Sequence, residues 1–283
     1  MYIRRTMSDT SSLRGRVAFI SGASRGIGKA IALRLAREGV AVAVVAKSVQ
    51  DDPRLGGTVY STVEEIEAAG GKALAIPCDI RDEAAVAAAV EKAAVHFGKV
   101  DILVNNASAI HLADTESTPA KRFDLMFGIN VRGTFLVTQH CLPHLKRAGG
   151  GHILTLSPPI DLSPDWFEKH TAYTASKYAM SMLTLGWGAE LRDDGIGAAS
   201  LWPRTTIATA AVQNLLGGDY LSARSRKPEI VADAAALILA KPAKEVAGNF
   251  FLDEDVLREA GTVDFEDYAM TPGGPLQTDL FLR

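Results

Sequence analysis

The sequence predicts an α/β protein: a single doubly wound domain of about seven parallel strands with helices on both faces. Three observations carry this. Short β-branched runs alternate with longer helical stretches along nearly the whole chain. The runs are continuously apolar instead of alternating with polar residues, as in strands buried on both faces of a parallel sheet. A glycine-rich turn joins the first run to the first helical stretch, the kind of connection that such folds place at the carboxyl edge of the sheet.

The first strand is expected over 16–21, followed by a helix over 26–38. Further strands are expected near 40–46, 73–78, 102–105, 152–157, 197–202 and 249–252, with helices near 58–69, 82–97, 121–147, 172–193 and 228–241. Gly70, Gly71, Gly98 and Gly195 each follow a helical stretch, where a left-handed cap suits glycine. Pro228 before Glu229 marks a helix start. Residues 1–14 carry Arg4 and Arg5 but no apolar segment behind them, so they read as a flexible polar tail, with Met7 a second candidate start. The dinucleotide-binding catalytic domain is expected over 15–253. Within it, 205–227 breaks the rhythm between the last two strands and reads as a substrate lid. Residues 254–283 turn acidic and then rich in Gly and Pro, which suggests an extension packed on the same domain.

A length of 283 residues suits one such domain and demands no second core. The 30 Lys+Arg and 33 Asp+Glu are interspersed, so no basic field draws the chain to nucleic acid or to an anionic membrane surface. The apolar runs fall short of the roughly 20 residues a membrane span needs. Two cysteines, Cys78 and Cys141, stand far apart outside any C-x-x-C pattern, which suits a reducing, cytoplasmic compartment. His140 and His144 have a metal-ligand spacing, but Pro143 intervenes and no H-E-x-x-H glutamate is present, so no metal is expected.

The turn after the first strand reads Ser21-Gly22-Ala23-Ser24-Arg25-Gly26-Ile27-Gly28. Gly22 allows a sharp turn, Gly26 lets backbone approach a pyrophosphate, and Gly28 lets helix and strand pack closely. The helix N-terminus favours negative charge. At the end of the second strand, an Asp or Glu would accept from the ribose hydroxyls of NAD and repel a 2′-phosphate. This chain has Lys47 and Ser48 there, and with Arg25 they favour NADP over NAD, although Asp51 and Asp52 dilute the positive field.

Tyr173 and Lys177 lie four apart and therefore on one helix face. A tyrosine acting as a base near neutrality needs positive charge beside its phenolate, and Lys177 supplies it. Such a pair is common on helix surfaces, so it gains weight only in combination. Ser157, at the end of the fifth strand, is a candidate donor to a substrate oxygen. Asn130 is a poor helix-former inside a long helix, either opening the backbone ladder, holding a water, or simply exposed. Asn105-Asn106-Ala107-Ser108 closes the fourth strand as a site loop or a plain turn. Trp166, Phe167, Trp202 and the apolar residues of 207–216 suit a pocket for an apolar substrate, or ordinary core packing.

Taken together, Gly22 to Gly28, Asp79, Asn105 to Ala107, Asn130, Ser157, and Tyr173 with Lys177 make the chain resemble the short-chain dehydrogenase/reductase family over nearly its whole length. The resemblance implies a Rossmann-type fold and an NADP-dependent oxidoreductase acting on an alcohol or carbonyl, lipid-like in character, with homodimers or homotetramers common among its members. It implies that Tyr173 is the acid/base, that Lys177 binds the nicotinamide ribose and lowers the Tyr173 pKa, that Ser157 orients substrate and that Asn130 supports a relay water. Ser24, Ile27, Asn106, Ala107 and Pro203 would lie against the cofactor, with Asp79 at the adenine. Ser108, Pro158-Pro159 and Arg204 depart from the family pattern, and the interval from Ser157 to Tyr173 is longer than usual. These departures leave room for another class, a non-catalytic NADP(H)-binding redox sensor or scaffold.

Overall fold

A computed structural model describes residues 9–283 apart from Pro53. The strands are β1 (Val17–Ser21), β2 (Ala41–Ala46), β3 (Lys72–Pro77), β4 (Ile102–Asn105), β5 (Gly151–Leu156), β6 (Ile196–Trp202) and β7 (Phe250–Leu252). They form one parallel sheet in the order β3-β2-β1-β4-β5-β6-β7. The helices are α1 (Gly26–Arg37), α2 (Val59–Ala68), α3 (Glu83–Phe97), α4 (Ala120–Met126), α5 (Thr134–Arg147), α6 (Thr171–Glu190), α7 (Gly218–Ala223), α8 (Glu229–Ala240), α9 (Ala243–Val246) and α10 (Asp253–Glu259).

The apolar continuity of the strands has a direct cause in this arrangement. Along β1, Ala18 and Ile20 pack into a core with Ile31 and Leu35 of α1 and Ile230 and Leu239 of α8. Phe19, between them, packs into a second core with Val90 of α3, Val137 of α5 and Trp187 of α6. Both side-chain sets of the pleat are thus removed from water. Burying a side chain such as Phe19 or Ile31 contributes about 1.5–3 kcal/mol. The edge strands β3 and β7 are only half-buried along much of their length.

Three local features depart from the simple pattern. The helix expected over 121–147 is broken: α4 ends at Met126, a π-helical segment runs over Phe127–Gly133, and α5 resumes at Thr134. Gly133 sits where a Cβ would lie 2.7 Å from the end of the Ile80 side chain, so a larger residue there would require Ile80 to shift. Residues 10–14 are docked, not loose: Leu13 is fully buried, Thr10 donates to Glu38 at 2.7 Å, and the Ser12 hydroxyl donates to the Ala240 carbonyl at 2.9 Å. The rest of the expected tail, 1–8, lies outside the described residues. Finally, the interval between Ser157 and Tyr173 holds a 3-10 turn, Pro164–Trp166, in which Asp161 accepts from Ser163 and from the Trp166 indole at 2.9 Å. No helix among the described residues is long and apolar enough to cross a membrane.

Because β1 is flanked by β2 on one side and β4 on the other, chain direction across the sheet reverses there. The crevice outside the carboxyl ends of β1 and β4 is the place where open α/β sheets bind ligands.

Candidate active site

Two adjoining cavities occupy that crevice, one of about 340 Å³ along the glycine loop and one of about 560 Å³ beyond it. Ile27, Asn106, Ser108, Thr209 and Ala211 line both, so they form one continuous groove.

At the glycine-loop end, Gly22 and Gly26 take left-handed φ values of 68° and 55°, open to glycine and strained for other residues. Gly28 permits close approach: a Cβ there would lie 2.3 Å from Asn106 Nδ2 and 2.5 Å from the Gly22 carbonyl. The Asn106 amide donates to the Ser21 and Gly22 carbonyls, both at 3.0 Å, and so clamps the loop from β4. Ser21, which the sequence reading passed over, pins the same junction: its Oγ accepts from the Asn106 and Ala107 backbone amides at 3.1 and 3.2 Å. Ser24, Arg25, Lys47, Ser48 and Asp79 all line this cavity. The Arg25 guanidinium is fixed by the Ser48 hydroxyl at 2.6 Å and the Gly57 carbonyl at 3.2 Å, while its buried Nε has no partner among the described residues. Asp52 is occupied by Arg54 and not by Lys47. A cradle of glycine backbone with a fixed, incompletely satisfied guanidinium and a lysine fits a nucleotide carrying phosphate. Asp79 is engaged by Arg81 at 2.5 Å, which holds its carboxyl below the usual range, with Lys47 a smaller contributor.

At the other end, Tyr173 and Lys177 of α6 line the larger cavity together with Leu156 and Pro203. Lys177 is buried, and its ammonium donates to the Leu156 carbonyl at 2.6 Å and lies 5.0 Å from the Trp202 ring centroid. Burial pushes Lys177 down to about 7, partly offset by the charge of Asp279. Burial also raises Tyr173 well above its ordinary value, and the Asp279 carboxylate raises it further. The phenol therefore stays protonated through neutrality.

Asn130 sits in the π-helical segment, fully buried. Its Oδ1 accepts from the Ala109 amide at 2.7 Å, and its Nδ2 donates to the Ala109 carbonyl at 2.9 Å and to Ser176 at 3.0 Å. Ser176 in turn donates to the Tyr173 carbonyl at 2.8 Å. Both amide hydrogens of Asn130 are committed to protein, so this side chain ties the loop after β4 to the turn of α6 that carries Tyr173, and neither hydrogen is left for a relay water. Ser157 is also fully buried, shares a 2.9 Å hydrogen bond with Ser200, and is not among the residues lining either cavity. Pro158 follows it, with its carbonyl accepting from Ser181 at 2.6 Å.

The C-terminal segment supplies what sequence reading missed. Gln277, Thr278, Asp279 and Leu280 line the larger cavity, and Phe281 packs its ring against Tyr173, Tyr178, Trp202, His170 and Trp166. Trp202 donates to the Leu280 carbonyl at 3.0 Å. The segment 205–227 forms the opposite wall through Thr206, Ile207, Thr209 and Val212, and Thr205 pairs with Thr278. Arg204 is drawn aside by Asp255 at 2.6 Å. Among the described residues, no group of His, Cys, Asp or Glu is arranged to hold a metal ion.

A parallel sheet with a glycine loop at its switch point, and a Tyr–Lys pair one helical turn apart beside it, defines a nucleotide-dependent oxidoreductase, and the chain belongs to the short-chain dehydrogenase/reductase family. The family model described as short chain dehydrogenase matches residues 16–217. Its members bind a nicotinamide nucleotide and act on small molecules. Within the family, the chain is 52% identical over 276 residues to hydroxysteroid dehydrogenase-like protein 2 of Rattus norvegicus, covering 98% of this chain. It spans about half of that relative's length, 52%. A short chain dehydrogenase structure from Mycobacterium thermoresistibile is 57% identical with a TM-score of 0.90, covering 96% of each chain. A putative dehydrogenase structure from Xanthomonas campestris is 51% identical with a TM-score of 0.92, covering 96% of this chain and 99% of that one.

Proposed function

We propose that the chain transfers a hydride between NADP(H) and an apolar, lipid-like alcohol or carbonyl, with Tyr173 as the proton donor and acceptor. The observation that carries this reading is that Tyr173 and Lys177 line one wall of a largely apolar cavity continuous with the glycine-loop groove. Ile110, Leu112, Ile207, Val212 and Leu221 give that cavity its apolar character. When bound, the nicotinamide supplies or accepts the hydride. Gly22, Gly26 and the N-terminus of α1 would hold its pyrophosphate, Arg25 and Lys47 a 2′-phosphate, Asp79 the adenine end, and Asn106, Ala107 and Pro203 the nicotinamide end. Lys177 orients the ribose and offers positive charge to a phenolate at Tyr173. The protonated phenol suits the reducing direction, where it gives its proton to the alkoxide that forms.

Exposed Phe135, Met182 and Leu185 on α5 and α6 suit a homodimer or homotetramer built on those helices. A cytoplasmic location completes the reading. A second reading, a non-catalytic sensor of NADP(H), is favoured by one observation: the Ser157 hydroxyl is held by Ser200 instead of facing the cavity.

Titration with NADPH and NADH, followed by nicotinamide fluorescence, tests the cofactor assignment. NADPH should bind more tightly, and Lys47→Asp should weaken NADPH by about tenfold or more, the loss of one charge-assisted contact. Equal affinity for both nucleotides in the native protein, or no effect of the substitution, would overturn it. Consumption of NADPH with a panel of apolar aldehydes and ketones separates enzyme from sensor.

A further inference from the structure

The Ser157 hydroxyl shares a hydrogen bond with Ser200 and is not among the residues lining the larger cavity, which leaves a question of chemistry: what besides Tyr173 holds the substrate oxygen. The Thr206 hydroxyl shares a 2.8 Å hydrogen bond with Ser225. Asp279 remains. It reaches the cavity from the C-terminal segment and lines it together with Tyr173 and Lys177. Its backbone amide donates to the Arg204 carbonyl at 3.1 Å, and its Oδ1 accepts from the Leu280 amide at 2.7 Å. Oδ2 has no hydrogen-bond partner among the described residues and is not one of the fully enclosed unpaired atoms. The segment is packed against the site. Phe281, the one non-glycine residue with a left-handed φ among the described residues (71°), is locked beneath Tyr173 by five aromatic neighbours. Strain of that kind, held by packing, is characteristic of sites where a group must be aimed.

We propose that Asp279 is a catalytic residue whose protonated carboxyl donates a hydrogen bond to the substrate carbonyl oxygen, beside Tyr173 and in place of a serine. This deepens the proposed oxidoreductase reading and rests on it for the identity of the reaction. In the reducing direction the carbonyl carbon receives the hydride, the C–O π pair moves onto oxygen, and that oxygen takes the Tyr173 proton. The phenolate left behind is stabilised by Lys177 until a proton returns. Asp279 lowers the barrier by donating a hydrogen bond to the oxygen as negative charge develops there, and, as the stronger acid, it can return a proton to the Tyr173 phenolate before solvent reprotonates the carboxyl.

The surroundings favour the protonated carboxyl. The groups facing Asp279 are Tyr173 and Lys177 from α6, Asp253 from the start of α10, and the backbone of Arg204, whose guanidinium is turned toward Asp255 and Glu254. Burial raises the Asp279 carboxyl to about 7, with Asp253 adding to the rise and Lys177 opposing it. A hydrogen bond given by the acid form is therefore present below about 7 and lost above it.

The test uses the full chain saturated with NADPH and an unreactive carbonyl mimic, decanamide, with binding followed by calorimetry at about pH 5.5 and about pH 8.5, either side of the carboxyl's titration. Native protein should bind decanamide about tenfold more tightly at the lower pH, the worth of one hydrogen bond in a dry site. Asp279→Asn, which keeps a donor that does not titrate, should bind with little pH dependence, and Asp279→Ala should bind weakly at both. NADPH affinity, measured by fluorescence, reports that each variant is folded. The proposal is overturned by equal binding of native protein and Asp279→Ala, by a pH dependence that survives in Asp279→Asn and so belongs to Lys177, or by absence of amide binding to the native complex. If the expected pattern holds but no carbonyl is reduced, Asp279 keeps its role as the carbonyl contact and the oxidoreductase reading alone fails.

Discussion

The two ends of the groove are built in different ways. At the glycine-loop end some partners are near in sequence, with Arg25 fixed by Ser48, 23 residues away, and the loop's own glycines set its shape, although Asn106 also clamps it from β4. At the reaction end they are distant: Trp202 holds Leu280 across 78 residues, and Phe281 packs on Tyr173. A nucleotide cradle can be made by backbone and a short turn, whereas aiming a proton donor at one substrate oxygen needs walls from several parts of the chain. This difference predicts that damage at the first end weakens cofactor binding locally, while damage at the second removes chemistry or stability.

The largest effect belongs to the proton itself. Tyr173→Phe keeps the ring and its contact with Phe281 but removes the transferable proton, and turnover with an apolar carbonyl should fall about a thousandfold, within the range for loss of a general acid. NADPH affinity should change little, because the hydroxyl makes no hydrogen bond that shapes the groove. Residual turnover within tenfold of the native rate would move the proton to another group, with Asp279 the first to examine.

Next comes the tail. Phe281 is 2% exposed, and Phe281→Ala should destabilise the fold by about 3 kcal/mol through the cavity it leaves. The strained backbone at 281 would lose the packing that holds it, so Asp279 should lose its aim as well. Urea denaturation measures the first effect and decanamide binding the second. Stability lost with decanamide binding intact would show the tail to be structural only, and the contrast between the two ends would weaken.

The same contrast explains what was legible in the sequence. The alternation of apolar runs, Gly22 to Gly28, and the four-residue spacing of Tyr173 and Lys177 are local signals, and local signals translate directly into strand, turn and helix face. They do not fix the order β3-β2-β1-β4-β5-β6-β7, which the preferred handedness of parallel crossovers only narrows. Ser157 was legible as a residue at a strand end, but its partner was not: successive residues point to opposite faces, and here the hydroxyl meets Ser200 of β6. Asn130 was legible as an irregularity, since an amide inside a helix competes for backbone, but its partner Ala109 lies 21 residues away in a loop. Asp279 carried no signal at all. An acidic residue in a polar tail looks like every solvated one until the fold brings it beside Tyr173.

The smallest effect should come from the locally built end. Thr58 and Ser61 form a reciprocal cap on α2: Thr58 Oγ1 accepts from the Ser61 amide at 3.0 Å, and Ser61 Oγ accepts from the Thr58 amide at 2.9 Å. Thr58→Ala removes one half of that pair and should cost about 1 kcal/mol in urea denaturation. Its reach into the site is short. Gly57, next to Thr58, accepts from Arg25, and Thr62 of α2 donates to the Ser24 carbonyl at 3.3 Å, so fraying of this turn loosens the guanidinium and the loop together. NADPH affinity should therefore fall by no more than about threefold, a fraction of the loss expected from removing a charge. Decanamide binding to the NADPH-saturated protein should not move, because no residue of α2 lines the larger cavity. A drop in decanamide binding as large as that in NADPH binding would mean that the two ends are mechanically coupled through α1 and the loop, and that the local construction of the cradle does not insulate it.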